Sequence, residues 1–286
     1  LDNRDKMSAP KYGDIVKKVA DIFKKDFVKK DEAPITFEMT GEAPSGVEVT
    51  SSSTWDYTKS GSGIDTTVSA TWSHPSGFTL EKLEFDPSAK GSLTTETSLT
   101  GLAKGLKLEF KGNDADKGDL SFTYKLPAAT VTGGMDFMNF KTFDVAAATT
   151  FGDITAGAKC DFKKGKDGFA TSASASASYA MGNLFAGLDV TSNFSKYAVL
   201  SSFNVDKNIT AALRADLGGK APVFQVGGVY KCNPDTVIKG KVNVTSKALD
   251  LSVKQALDKK MNVTASAQLS DFSFKSMVFG LKATLG

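Results

Sequence analysis

Long apolar runs are the first thing this 286-residue sequence lacks. Nowhere do about 18 consecutive apolar residues occur, which excludes a bilayer-crossing helix. Cysteine is nearly absent: Cys160 and Cys232 have no CxxC spacing, so neither a disulfide framework nor a zinc site is expected. Histidine is rarer still. His74, the single one, precedes Pro75 in a turn signal, and no Ser/His/Asp or Cys/His set can be assembled around it. No strand-to-helix phosphate loop is present either. The chain is therefore expected to be no enzyme and to hold no cofactor or metal. One-sided charge is missing too: a formal net charge of +3 with 23% charged residues argues against general nucleic-acid binding and leaves room only for a local basic patch. The N-terminus has no apolar h-region or small-residue cleavage site, which argues against a secretory signal. Residues 1–6, LDNRDK, precede Met7 and read as a remnant or extension ahead of a natural start.

What is present is periodicity of two kinds. Between Tyr12 and Phe27, the residues Ile15, Val19, Ile22 and Phe23 recur at helical spacing, with Lys17, Lys18, Asp21, Lys24 and Lys25 on the remaining surface. The expectation is one amphipathic helix over 12–27. From Pro34 onward the period is two. In KGLKLEFKG, Leu106, Leu108 and Phe110 alternate with Lys107, Glu109 and Lys111, and in MNVTASAQL, Met261, Val263, Ala265, Ala267 and Leu269 share one side. Turn signals such as Gly182-Asn183, Gly218-Gly219 and Asn233-Pro234-Asp235 separate such runs at short intervals. About 19 strands of roughly 9 to 11 residues follow, the length a tilted membrane-spanning strand requires.

The apolar faces have two possible neighbours, a second sheet or lipid. Interdigitated sandwich cores favour bulky side chains, whereas ATSASASASYAMG and DVAAATTFGD offer Ala and Thr. Such faces suit fluid acyl chains better, and the opposite face is polar in nearly every strand. A barrel of this strand number has an interior too wide for side chains to fill. A closed transmembrane β-barrel with a wet lumen is therefore expected, closure removing the edges that cannot survive in hydrocarbon. The amphipathic helix, left without a covering role, fits inside that lumen. Strand parity places Lys107, Lys111, Lys125, Lys159, Arg214, Lys239, Lys241, Lys254 and Lys282 on the inner face, against Glu38, Glu96, Glu109, Asp161, Asp216 and Asp250. Cys160 and Cys232 fall on apolar faces.

Four stretches carry a resemblance: PKYGDIVKKVADIFKKDF, TTETSLTGLAKGLKLEFKG, TGGMDFMNF and GGVYKCNPDTVIKGKVN. Over essentially the whole length from Met7 the chain resembles the mitochondrial porins, the voltage-dependent anion channels of the outer mitochondrial membrane. The resemblance implies a pore-helix segment over 7–30 and a barrel over 31–286. Tyr12 and Asp14 match the family's opening motif, Ile15 would contact the wall, and Lys17, Lys18, Lys24 and Lys25 would set charge near the constriction. Gly105, Leu106 and Lys107 match a Gly-Leu-Lys motif associated with nucleotide contact. A membrane-facing glutamate of animal members has Glu81 or Glu84 as its nearest counterpart, with the local alignment slipping by a residue. The last-strand sorting signal departs from the pattern at Val278, although Gly280, Ala283 and Leu285 fit.

The implied function is a voltage-gated, weakly anion-selective channel for ATP, ADP, phosphate and other small metabolites across the outer mitochondrial membrane. Its partners would be membrane lipid, permeating nucleotides and inorganic anions, a homo-oligomer and cytosolic docking proteins, with no nucleic acid. Two alternatives stand beside it: a presequence-conducting protein-import barrel of the same superfamily, and a soluble β-rich binding protein.

Overall fold

The computed structural model describes residues 9–28, 35–59, 63–87, 92–113, 117–166 and 168–286. Residues 1–6, expected to be a remnant or extension, and positions 61, 62 and 167 of two expected turns lie outside the described residues. Nineteen strands run from β1 (Ile35–Glu42) to β19 (Met277–Leu285), each hydrogen-bonded to its sequence neighbours. All neighbouring pairs are antiparallel except one, because an odd number of up-and-down strands must close on a parallel pair. β1 and β19 form that seam, with Ile35 opposite Leu281 and Met39 opposite Leu285. The sheet is thus a closed barrel without an open edge, the only β form that can span hydrocarbon. Among the described residues no helix is long and apolar enough to cross a membrane.

The hairpins follow from turn chemistry. Gly152 (φ +60°) and Gly182 (φ +55°) each open a two-residue loop, between Phe151 and Ile154 and between Met181 and Leu184. Positive φ at the first central position matches the right-handed twist of the flanking strands and costs glycine nothing.

Alternation gives the wall two unlike faces. Outward positions carry large exposed apolar groups, among them Phe37, Leu213, Leu251 and Phe279. A monomer in water rarely exposes so continuous an apolar surface; here it is the surface that meets acyl chains. Met261, Val263, Ala265 and Ala267 lie on it, since their alternates Thr264 and Gln268 face Lys254 and Asp250 on the strand beside them.

Three expectations are corrected. The predicted helix over 12–27 is a single 3-10 turn, Tyr12–Asp14, followed by α1, Lys17–Lys24. No side chain caps α1 at Val16, Lys25 is extended, and Asp26 adopts φ +71°. A helix of this length is not stable alone, so the wall it packs on sets its limits. Second, the inner face is not polar throughout: Ala146, Ala148, Leu200 and Ala212 point inward and are buried. Third, alternation fails in β4 (Phe78–Asp86), where register with β5 (Ser92–Thr100) shifts between Leu80 and Lys82. One extra residue on β4 makes a β-bulge, which sends Glu81 and Lys82 to the same side.

Candidate functional site

Residues 9–28 thread the barrel interior, and their contacts follow its circumference. The Thr130 hydroxyl of β8 (Ala129–Asp136) donates to the carbonyl of Ala9, and Lys11 lies 3.5 Å from Glu109 of β6 (Leu106–Asn113). Val19, Ile22 and Phe23 pack on Leu200 of β13 (Lys196–Asn204) and Ala212 of β14 (Ile209–Leu217). Farther on, Val28 reaches β19. Only a segment inside the barrel can meet β6 and β19 within so short a length, because α1 spans about 12 Å.

Glycines in the wall admit this close approach. A Cβ at Gly157 would stand 2.9 Å from Ile15 Cδ1, at Gly187 2.8 Å from Val16, at Gly227 3.0 Å from Phe23 and at Gly280 2.8 Å from Val28. The expected wall contact of Ile15 is with Gly157, and Ile15 is buried. Tyr12 lies beside the same glycine, its hydroxyl 3.5 Å from Asp189 Oδ1. Burial, followed by the Asp189 charge, pushes the Tyr12 phenol up to about 12, so it stays protonated.

Lys17, Lys18, Lys24 and Lys25 form the exposed side of the segment. Lys17 pairs with Asp14 at 3.0 Å and Lys25 with Asp21 at 2.6 Å. The hydrogen bond that Lys17 donates to Asp14, followed by the Asp14 charge, raises the Lys17 pKa.

The wall charges occur mostly as pairs, which parity alone did not disclose. Lys107 contacts Glu81 at 2.9 Å and Glu109 at 3.0 Å, Lys111 contacts Glu96 at 2.5 Å, and Lys159 contacts Asp161 at 2.7 Å. Arg214 holds Asp216 at 2.8 Å and Lys282 holds Glu38 at 2.7 Å. Lys239 and Lys241, by contrast, turn to the N-terminal segment. Among the described residues Lys125 and Lys254 make no ion pair. Glu81 also accepts from Ser98 at 2.6 Å, and Glu84 pairs with Lys82 at 2.7 Å. Both candidates for a membrane-facing glutamate therefore point into the lumen.

Gly105, Leu106 and Lys107 occupy one rim of the pore. Gly105 (φ +84°) turns the chain into β6, and its carbonyl accepts from the Lys125 N–H at 2.9 Å. Leu106 falls on the outer face and Lys107 on the inner. With Lys11, Lys104 and Lys125 they line a cavity of about 640 Å³. Lys11 and Lys107 are paired there with Glu109 and Glu81, and the Lys104 and Lys125 ammonium groups, which make no ion pair among the described residues, leave a local cation surplus that suits a polyanion.

Sequence reasoning missed Asp144, Asp189, Lys82 and the apolar patch at Leu200 and Ala212. The first two were legible: Asp144 alternates with Phe143 and Val145, and Asp189 with Leu188 and Val190.

The eukaryotic porin family matches the chain over residues 8–280. The mitochondrial outer membrane protein porin of Neurospora crassa is 27% identical over 259 residues, covering 83% of this chain and 84% of that one. Among solved structures, a triple mutant of Rhodopseudomonas blastica porin aligns with a TM-score of 0.49 and 11% identity, covering 87% of this chain and 94% of that one. An outer membrane protein of Vibrio cholerae aligns at TM-score 0.42 and 14% identity, covering 87% and 95%. This chain belongs to the eukaryotic porin family.

Proposed function

We propose that this porin, a channel of the outer mitochondrial membrane, is voltage-gated, weakly anion-selective and permeable to ATP, ADP, phosphate and similar metabolites. The observation that carries the reading is a closed barrel lined by charged side chains and narrowed by one docked segment. Ions pass such a lumen hydrated, so selectivity comes from the averaged potential and not from a ring of ligands. Paired lysines and carboxylates largely cancel at a distance. At physiological salt the Debye length is about 8 Å, which confines the remainder near the wall. The preference for a monovalent anion is accordingly small. A polyphosphate gains several times more, and the lysine-lined rim at Gly105, Leu106 and Lys107 is where it would first engage.

Voltage enters through charge displacement, each elementary charge crossing the field being worth about 2.3 kcal/mol per 100 mV. The exposed lysines of the N-terminal segment are the mobile charges in this reading. Single-channel recording in a planar bilayer under a salt gradient tests it. The expected result is a large, mildly anion-selective conductance that falls to a less anion-selective substate at both polarities. A cation-selective pore blocked by presequence peptides would instead establish the import-channel alternative.

A further inference from the structure

The two lysines of β16 (Thr236–Asn243) behave differently from the other wall lysines. The side chain of Lys241 is 15% exposed and that of Lys239 16%, against 51% for Lys282 and 58% for Lys111. Lys241 Nζ donates to the carbonyl of Phe23 at 2.8 Å and stands 4.5 Å from the centroid of the Phe27 ring. On its other side lies Asp250 of β17 (Ala248–Ala256), at 3.8 Å and 2% exposed, whose Oδ1 accepts from Gln268 at 2.7 Å. Lys239 reaches Asp26 at 2.5 Å.

We propose that Lys241 and Lys239 form a latch that fastens the C-terminal end of α1 to the wall, and that they are positioning residues and not pore charges. The last carbonyls of a helix have no partner within it, and a cation placed there also meets the negative end of the helix dipole. Lys241 supplies both to Phe23. Its own charge is balanced by Asp250, a buried carboxylate that needs a cation in return, and covered by the Phe27 face. Little of it reaches the lumen. Lys239 fixes Asp26 where the chain leaves α1 through a left-handed residue. The latch therefore sets how readily α1 leaves Leu200 and Ala212. Its link to gating rests on the voltage-gated reading given above; its link to docking does not.

The test uses the full chain refolded in detergent and in planar bilayers, with Lys241→Met and Asp26→Asn as variants and Lys254→Met as the pore-charge control. Tryptic cleavage after the exposed Lys24 and Lys25 reports undocking. In Lys241→Met it should run about ten-fold faster, the factor that a loss of about 1.4 kcal/mol produces. Lys241→Arg, which keeps charge and donors, should restore most of the protection. In bilayers the half-closing voltage of Lys241→Met should move toward zero while the reversal potential shifts less than in Lys254→Met. Asp26→Asn leaves the wall intact and should also speed cleavage, so it decides alone if Lys241→Met does not fold. Unchanged cleavage in the folded variants overturns the latch, as does a reversal-potential shift in Lys241→Met equal to that of the control. Faster cleavage with no voltage closure in the wild type would keep the latch and remove the voltage-gated reading.

Discussion

The hydroxyl of Tyr57 both donates to the carbonyl of Phe279 and accepts from its N–H, each at 2.9 Å. Tyr57 follows β2 (Glu48–Trp55), and Phe279 lies on β19 beyond the last described β1 partner, since that ladder begins at Ile35 opposite Leu281. One side chain thus adds two hydrogen bonds to β19 beyond the Ile35–Leu281 pair of the parallel seam.

Replacing Tyr57 by Phe keeps the ring and removes both hydrogen bonds. Each such bond contributes on the order of 1 kcal/mol, and a backbone group left unpaired near hydrocarbon costs more. The variant should lose about 1–3 kcal/mol in reversible denaturant unfolding from detergent, and amide exchange at Phe279 should quicken. Unchanged stability would assign the seam wholly to its backbone ladder.

Charge at the wall should act through its sum. Lys254→Glu reverses a cation with no ion-pair partner among the described residues and should visibly reduce anion preference in the reversal potential. Exchanging the partners of one pair, Lys282→Glu with Glu38→Lys, preserves the sum and should leave it nearly unchanged. Raising the salt toward 1 M, where the Debye length is about 3 Å, should shrink the Lys254→Glu effect. Equal effects from the reversal and the exchange would point to local binding sites.

The glycines beneath the N-terminal segment give a packing test. Gly187→Val places branched carbon where Val16 now sits, and overpacking of this kind costs about 1–3 kcal/mol. The barrel should retain its β-sheet circular dichroism, since alternation and closure are untouched. Cleavage within 17–28 should quicken and the open-state conductance should become more variable. Gly152→Ala, in a hairpin loop, should cost stability and leave the segment docked.

Parity and the inner position of Lys107 or Lys282 were legible because one face of each strand meets lipid and the other water. That contrast repeats with period two. It fails wherever a third surface intervenes. Leu200 and Ala212 face inward beneath α1, so KYAVLSSFN is apolar on both faces and its alternation is ambiguous. Glu81 shifts parity through a bulge, which FTLEKLEF signals only as adjacent charges. The helix looked longer than α1 because Ile15 and Phe27 continue its apolar stripe. The wall, and not the stripe, decides where the chain turns, as Lys239 and Asp26 illustrate. Ion pairing, finally, depends on side-chain reach across neighbouring strands, which periodicity does not encode.

Alkaline pH should loosen the N-terminal segment through Tyr12. Its folded-state pKa of about 12 exceeds the ordinary 10.0, so the folded chain holds the phenolic proton more tightly than the unfolded one. The associated stability is fully present below pH 10 and is lost as pH rises from 10 toward 12. Solvent screening of a partly exposed group makes it modest. Protease protection of residues 17–28, or the ultraviolet change of tyrosinate formation, follows the transition. Lysines titrate in the same range, so the informative quantity is the difference from Tyr12→Phe, which retains the ring against Gly157 and removes the proton. If wild type and Tyr12→Phe lose protection along the same curve, the phenol near Asp189 has no part in docking, and the contacts of Val19 and Phe23 with the wall hold the segment alone.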